Sequence, residues 1–269
     1  MKRTILLGPD RDQAFIQAQY LDAVAKWLYP DVALLGADGA VLWQTNRFGL
    51  RGADVEPGQR IGVVWGDSVV FGLYSRTWSE MLNDYSTDCI FLNGGVEGAT
   101  YVDVLRRAVD FNRRERVAVN VIMPGWLEIG SNEHFERDLR DALSEIPNAV
   151  LVTMPTSLNA GMIHQDITSA FVAPAGDAES GFNFWGTDDY SVHVQKILYG
   201  HLAQRNALIR GVAAHAGIPL IDLFVALDST SLPDFRTYFM DVSHPRPSAY
   251  AKIAALVWEG ARSVLETAN

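Results

Sequence analysis

The chain of 269 residues contains a single cysteine, Cys89. One cysteine cannot form an intrachain disulfide, and it cannot build a zinc site from several thiolates. It lies in an apolar run, where a thiol is expected to be a buried core side chain. His193 and His201 lie eight residues apart on a predicted helix, but no carboxylate completes a recognisable metal-binding motif with them. We therefore expect neither a metal centre nor a cofactor.

Positive charge is scarce, since 22 Lys and Arg residues stand against 32 Asp and Glu residues and the formal net charge is −10. Nucleic acids and anionic membrane surfaces attract basic patches, so we expect neither as a partner. The first apolar segment, residues 5–7, is too short for a signal-peptide core, and no apolar run approaches the length of a membrane span. These absences predict a cytoplasmic protein, and they leave its oligomeric state open.

Residues 1–58 are predicted to form an extension that packs on a main domain of residues 59–269. Apolar residues at steps of three and four predict a helix over residues 12–29 that Pro30 ends. The Asp38-Gly39 pair between two short apolar runs predicts a β-hairpin.

Helical and strand patterns alternate along the main domain. A strand is predicted to end just before Ser68, and further strands are predicted at residues 89–92, 117–123, 150–154 and 219–223. Helices are predicted at residues 75–83, 101–112, 135–146, 189–216 and 247–266. This alternation predicts a parallel sheet covered by helices on both faces. The long irregular segment 156–188 is either a lid or substrate wall, or a disordered insertion.

The stretch 63–68, Val-Val-Trp-Gly-Asp-Ser, predicts a buried strand that delivers the Ser68 hydroxyl to the carboxyl edge of the sheet. A serine hydroxyl is a weak nucleophile at neutral pH, so chemistry at Ser68 requires a base, a group that orients the base, and donors for an oxyanion. Asp241 lies three residues before His244, and a carboxylate bound to one imidazole nitrogen leaves the other free to accept the serine proton. The alternative for His244 is a structural residue that starts the last helix before Pro245.

A glycine-rich segment, residues 93–98, follows the predicted strand at 89–92. Its glycines would let backbone N–H groups approach a bound oxygen closely. The alternative is a plain strand-to-helix turn. A further glycine, Gly125, follows the next strand.

These segments together resemble the SGNH hydrolases, also called GDSL esterases. Gly66-Asp67-Ser68, Gly98, Gly125 and the Asp-x-x-His motif at 241–244 occur in the order and approximate spacing of that family, over roughly residues 44–265. The segments 46–52 and 217–222 are also similar to bacterial members. The nucleophile elbow Gly-x-Ser-x-Gly of ordinary α/β-hydrolases is not matched at Ser68, because its last position is Val70.

The resemblance implies an α/β protein with a three-layer α/β/α, flavodoxin-like fold, built on a parallel five-stranded sheet with the N-terminal helix and hairpin as an extension. It also implies that Ser68 attacks an ester carbonyl, that His244 is the base and that Asp241 orients it. In the family the oxyanion is held by the N–H of the serine, here Ser68, by the N–H of the second-block glycine, here Gly98, and by an asparagine side chain in a Gly-x-Asn-Asp block.

The chain departs from the family pattern at Leu127, which stands at the asparagine position. Loss of one oxyanion donor typically costs about 10²- to 10³-fold in rate. Three explanations are open: Asn132 or Asn93 substitutes as the donor, two backbone donors act on an activated ester, or the protein has drifted towards binding. Asn132 lies in the same loop as Leu127 and is the first substitute to consider.

Trp126 and Trp185 fall in segments expected near the site, and with Asp67 they are the candidate substrate-binding residues. Flat aromatic faces suit sugar rings or acyl chains, although tryptophan more often buries apolar area in a core. The sequence thus predicts a serine esterase or deacylase acting on an acyl ester of a small molecule or carbohydrate, with acetyl as one candidate acyl group. The alternatives are an acyltransferase on the same fold and a catalytically weak carbohydrate-binding protein.

Overall fold

A computed structural model describes residues 3–6, 13–72, 76–128, 132–158, 192–228 and 238–267. Its N-terminal elements are β1 (Arg3–Leu6), α1 (Gln13–Tyr20), β2 (Leu21–Asp22), β3 (Trp27–Leu28), β4 (Val32–Leu35) and β5 (Val41–Gln44). Strands β4 and β5 form the antiparallel hairpin predicted around Asp38-Gly39, and β1 pairs in parallel with β4.

The helix predicted over residues 12–29 is wrong in its second half, where β2 and β3 form a short antiparallel hairpin. The Asp22 carboxylate accepts the backbone N–H groups of Val24 and Ala25, each at 2.9 Å, and this satisfies donors that a helix would use. Lys26 has a φ of +50°, in the left-handed region that turns the chain back. Local turn chemistry therefore outweighed an apolar spacing that also fits a helix.

The main sheet consists of β6 (Arg60–Gly66), β7 (Cys89–Gly95), β8 (Val119–Ile122), β9 (Ala149–Val152) and β10 (Leu220–Ile221). All neighbouring strands pair in parallel in the order β7-β6-β8-β9-β10. Counted along the main domain this is 2-1-3-4-5, the flavodoxin-like order, so the predicted fold class is confirmed. In open parallel sheets of this order, the loops that carry functional groups lie at the carboxyl ends of the strands.

Helices cover both faces of this sheet. They are α2 (Ser68–Phe71), α3 (Trp78–Met81), α4 (Tyr101–Asn112), α5 (Phe135–Glu145), α6 (Val192–Ala216), α7 (Leu223–Ala226) and α8 (Pro247–Thr267). Helix α8 packs with α3 and β9, whereas α4, α5 and α6 pack successively on one another. These two helical layers and the sheet between them form the three layers of the fold. Within the described ranges, no helix is both long and apolar enough to cross a bilayer.

The N-terminal region is joined to the main sheet through Arg51. Its backbone N–H and C=O each pair with Asn93 on β7 at 2.9 Å. Its fully buried guanidinium donates to the Phe71 carbonyl at 2.6 Å and to the Gly72 carbonyl, and it forms a 2.9 Å ion pair with Glu80. Arg51 therefore holds the carboxyl end of α2, the turn that begins at Ser68. The domain boundary at residue 58 stays a prediction.

Candidate active site

Ser68 lies directly after β6, as the first residue of the single helical turn α2. Asp67 caps this turn, because its Oδ1 accepts the backbone N–H of Val69 at 2.9 Å. The turn aims the half-buried Ser68 hydroxyl at a histidine on the loop before α8. Ser68 Oγ lies 2.8 Å from His244 Nε2.

Asp241 completes a chain of three residues with Ser68 and His244. Its Oδ2 lies 2.7 Å from His244 Nδ1. Its other oxygen, Oδ1, accepts the backbone N–H groups of Ser243 and His244, both at 2.8 Å. The Asp-x-x-His segment is therefore a closed turn in which the carboxylate both orients the imidazole and fixes its own loop. The sequence predicted that these three residues act together, and the structure brings all of them together.

The charges of this cluster support a proton relay. Burial lowers the pKa of His244, but the hydrogen bond and charge of Asp241, followed by the charges of Asp67 and Glu97, outweigh burial, so that pKa lies above its ordinary value. Burial raises the pKa of Asp241, but the hydrogen bond and charge of His244 and the backbone donors outweigh burial, so that pKa lies below its ordinary value. The carboxylate is thus held ionised beside a base of enhanced strength.

The loops that follow β6, β7 and β8 meet beside Ser68. Asp67 Oδ2 accepts the backbone N–H of Trp126 at 2.5 Å, which ties the first loop to the third. An isolated parallel bridge joins Thr100 to Leu127, so the end of the Gly98 loop lies along the third loop. Gly98 itself has a φ of +69°, which favours glycine, and it precedes the Thr100 cap of α4.

Solved structures share this arrangement of strands and helices. The lipase/acylhydrolase from Enterococcus faecalis matches with a TM-score of 0.53 at 19% identity, over 77% of this chain and 96% of that chain. A lipolytic protein of the G-D-S-L family from Veillonella parvula matches with a TM-score of 0.52 at 15% identity, over 74% and 97%. The chain has the GDSL hydrolase fold.

A catalytic mutant of an acetylxylan esterase from Geobacillus stearothermophilus also matches, with a TM-score of 0.53 at 11% identity, over 77% of this chain and 95% of that chain. Comparison with protein-family models and with curated proteins found no match to the sequence. The solved structures therefore confirm the GDSL fold that the sequence motifs predicted, while roles of individual residues rest on the geometry of this chain.

Asn93 and Asn132, the two asparagines considered as replacement donors, differ in the hydrogen bonds that they form. The Asn93 amide nitrogen is within hydrogen-bond distance of three acceptors, the carbonyls of Val70 and Phe71 and the hydroxyl of Thr77, at 2.8–3.1 Å. Asn93 therefore spends both N–H groups on holding α2 and has none to give an oxyanion.

Asn132 is held by the long helix α6. Its Oδ1 accepts a bond from Arg205 Nε, and its Nδ2 donates to Gln204 Oε1 at 3.4 Å. Its part in an oxyanion hole stays a prediction. Leu127, at the family's asparagine position, is half-buried and contributes no donor from its side chain.

The predicted substrate-binding residues are placed differently from one another. Trp126 is 8% exposed, and its indole N–H donates to the Pro155 carbonyl at 3.0 Å, so it forms a buried wall behind the loop. Asp67 is 1% exposed with both oxygens bound to backbone N–H groups, which favours positioning over contact with a ligand. Trp185 lies outside the described residues.

Glu97 is a residue near the site that sequence reasoning missed. It is 2% exposed, and its Oε2 accepts bonds from Gln17 Nε2 at 3.0 Å and from the Tyr20 hydroxyl at 3.1 Å. Helix α1 of the N-terminal region thereby clamps the Gly98 loop. The available signal was an acidic residue inside an otherwise apolar and glycine-rich segment. In the described part of the chain, no group of three or more His, Cys, Asp or Glu side chains is arranged to hold a metal ion.

Proposed function

We propose that this protein is a serine ester hydrolase that works through an acyl-enzyme on Ser68. The observation that carries the proposal is the continuous chain from Ser68 Oγ to His244 Nε2, 2.8 Å, and from His244 Nδ1 to Asp241 Oδ2, 2.7 Å. These distances fit a nucleophile, a general base and an orienting carboxylate. The lipases, acylhydrolases and esterase that share the fold support the same class of chemistry.

In the proposed reaction, neutral His244 accepts the Ser68 proton as Oγ bonds to the ester carbonyl carbon. Asp241 stabilises the imidazolium that forms. The tetrahedral intermediate collapses by breaking the bond to the alcohol oxygen, and the imidazolium gives its proton to that oxygen. Water then attacks the acyl-enzyme with His244 again as base, which releases the carboxylic acid and restores Ser68.

The oxyanion donors that we propose are the backbone N–H groups of Ser68 and Gly98. Leu127 supplies no third donor, so the rate should be more sensitive to the leaving group than in an enzyme with an asparagine at that position. On separate grounds we propose a short acyl group, with an acetyl ester of a carbohydrate as the leading candidate. The named acetylxylan esterase with the same fold supports that choice.

Leu127 also favours a second candidate, a carbohydrate-binding protein of weak catalytic power. Its ligand affinity would survive Ser68→Ala, whereas ester hydrolysis would be negligible in the unchanged protein. The cytoplasmic location and the absence of nucleic-acid and membrane partners stay predictions from the sequence.

Incubation with p-nitrophenyl acetate and with a serine-reactive phosphonate tests the hydrolase. We expect turnover, and a single phosphonate adduct on Ser68 by peptide mass spectrometry, and we expect both to vanish in Ser68→Ala. Ser79→Ala is the matched control, because Ser79 is buried beside α2 but lies outside the chain of three. No turnover and no adduct in the folded protein would sink the proposal. Product analysis with a sugar acceptor present separates hydrolysis from acyl transfer.

A further inference from the structure

A surface cavity of about 500 Å³ lies between the β2–β3 hairpin and the carboxyl-terminal half of α4, away from Ser68. Its wall includes one tryptophan, one acid and four arginines: Trp27, Asp110, Arg106, Arg107, Arg113 and Arg114. An excess of positive charge at one place is unexpected in a chain whose formal net charge is −10. Such a concentration of arginine forks suits an anionic ligand.

Arg107 is the buried arginine of this wall. Its side chain is 1% exposed, and within the described residues none of its three guanidinium nitrogens has a hydrogen-bond partner. The group lies 4.9 Å from the Trp27 ring centre and 5.7 Å from that of Trp65, so the two rings supply cation–π contact but no acceptors. Burial lowers the pKa of Arg107 to about 9, which still leaves it charged at neutral pH. A buried charge with five unused N–H donors is costly unless an acceptor reaches it.

The other arginines show which donors are already used. Arg106 donates to the Ala25 carbonyl and to Asp103, each at 3.0 Å, and Arg113 is paired with Glu145 at 2.6 Å. These two are held as parts of the wall.

Arg114 differs from the wall arginines. Its Nε donates to the Asp110 carbonyl at 3.0 Å, and its guanidinium lies 5.5 Å from the ring centre of Trp27. Its side chain is exposed, so its two terminal nitrogens can turn into the cavity. Arg107 and Arg114 therefore both lie against the same indole, one buried and one exposed.

We propose that this cavity is a binding site for a phosphate-type oxyanion, taken up between the guanidinium groups of Arg107 and Arg114. The tetrahedral oxygens of phosphate or of a phosphate monoester accept bidentate bonds from arginine forks. Among the described residues Arg106 and Arg113 are paired with acids, whereas Arg107 and Arg114 form no ion pair, and the two positive charges of this second pair match a dianion better than a single carboxylate. The exposed Arg114 side chain turns away from the Trp27 ring to admit the ligand, and Arg107 gains the acceptors that its surroundings lack. This site is independent of the proposed hydrolase chemistry.

Isothermal titration calorimetry and thermal unfolding of the full chain test this site, with inorganic phosphate, glycerol 3-phosphate, sulfate and acetate as probes at one ionic strength. We expect phosphate or the monoester to raise the melting temperature and to bind more tightly than acetate. Tighter binding of glycerol 3-phosphate than of phosphate identifies a phosphorylated small molecule as the ligand, and equal binding identifies the free ion. No rise at about 10 mM of either probe, or equal binding of acetate, overturns the proposal.

Three variants locate the binding. Arg114→Gln should weaken phosphate binding about tenfold or more, the usual worth of a charge-assisted bond. Arg107→Met should abolish it while retaining the packing between the two tryptophans, which near-UV circular dichroism reports. Arg262→Gln removes the same charge from an exposed arginine that is paired with Glu259 outside the cavity, and it should bind phosphate like the unchanged protein. Equal affinities of the Arg114→Gln and Arg262→Gln variants contradict the site even if Arg107→Met fails to fold.

Discussion

Asp67 Oδ2 accepts the backbone N–H of Trp126 at 2.5 Å, so the acid that precedes Ser68 holds the loop after β8. The other oxygen of Asp67 caps the turn that begins at Ser68. Burial raises the pKa of Asp67, and the two backbone donors oppose that rise. The central acid of the Gly-Asp-Ser motif is thus a positioning group that two loops share.

Asp67→Asn places an amide NH₂ against one of two backbone donors and leaves that N–H without an acceptor. We expect a loss of about 1–3 kcal/mol in the free energy of unfolding, together with a lower kcat at nearly unchanged KM. Denaturant unfolding and initial-rate kinetics measure the two effects. The control is Asp84→Asn, an exposed acid paired with Arg76, which should change neither quantity. A variant of Asp67 with normal stability and kcat contradicts this role.

Asp241→Asn keeps the shape of the turn but presents an amide to His244 Nδ1, which favours the wrong imidazole tautomer. We expect kcat to fall about 10³- to 10⁴-fold. Ser243→Ala is the comparison, because the Ser243 hydroxyl lies 3.2 Å from the same His244 nitrogen without completing the chain to Ser68. It should cost less than about tenfold. Similar losses in the two variants would show that Asp241 acts only through the loop.

The pH profile follows from the raised pKa of His244. In the proposed reaction His244 acts as a base only when neutral, so kcat/KM should fall as pH drops through that pKa, and the midpoint of this acid limb should lie above the ordinary value of 6.5. Glu97→Gln removes a negative charge that stabilises the imidazolium and should move the midpoint to lower pH. Glu145→Gln, an exposed acid paired with Arg113, should leave it in place. An unmoved limb in Glu97→Gln contradicts the electrostatic role.

The pKa shifts of His244 and Asp241 also make the stability of the fold depend on pH. The raised pKa of His244 contributes stability that is fully present below its unfolded value and is lost as pH rises through the folded pKa. The depressed pKa of Asp241 contributes stability that is present above its unfolded value and is lost as pH falls through the folded pKa. The two contributions overlap between about pH 4 and 6.5, so His244→Asn should be most destabilised relative to the unchanged chain in that window.

Gly95 allows α2 to lie directly on β7. A Cβ at this position would come within 2.3 Å of the Phe71 backbone nitrogen, so Gly95→Ala must push the Ser68 turn away from the sheet. We expect a loss of about 1–3 kcal/mol in stability and a fall in kcat. Gly211→Ala on α6 meets nothing within 4 Å and should stabilise the protein by about 0.5–1 kcal/mol. Unfolding curves of the two variants should therefore move in opposite directions.

Much of this architecture could be predicted because local sequence patterns agree with the tertiary structure. Helix α4 matches its predicted bounds, since Thr100 and Asp103 form a capping box before an amphipathic run. The joint role of Ser68, Asp241 and His244 was predicted from the Asp-x-x-His spacing together with the resemblance to the SGNH hydrolases. The flavodoxin-like fold was implied by the resemblance to the SGNH hydrolases.

The features that could not be predicted depend mostly on contacts between residues far apart in the sequence. The β2–β3 hairpin was missed because an Asp22 turn overrode a helix-like spacing. Asn93 seemed a candidate donor, but its amide hydrogens hold carbonyls of α2 more than 20 residues earlier in the chain. No local pattern shows that Arg107 would be buried against two indoles with no acceptor among the described residues.

Arg51 links the unfolding of the N-terminal region to that of the main sheet. Its buried guanidinium supplies the donors for two carbonyls at the end of the Ser68 turn, while its backbone extends the ladder at Asn93. Unfolding of the N-terminal region would break the Arg51–Glu80 ion pair and leave both carbonyls without their donor, and this couples the two regions energetically. Calorimetry should accordingly record one unfolding transition for the whole chain, and a chain begun at residue 59 should lose the ordered turn at Ser68 before it loses its sheet.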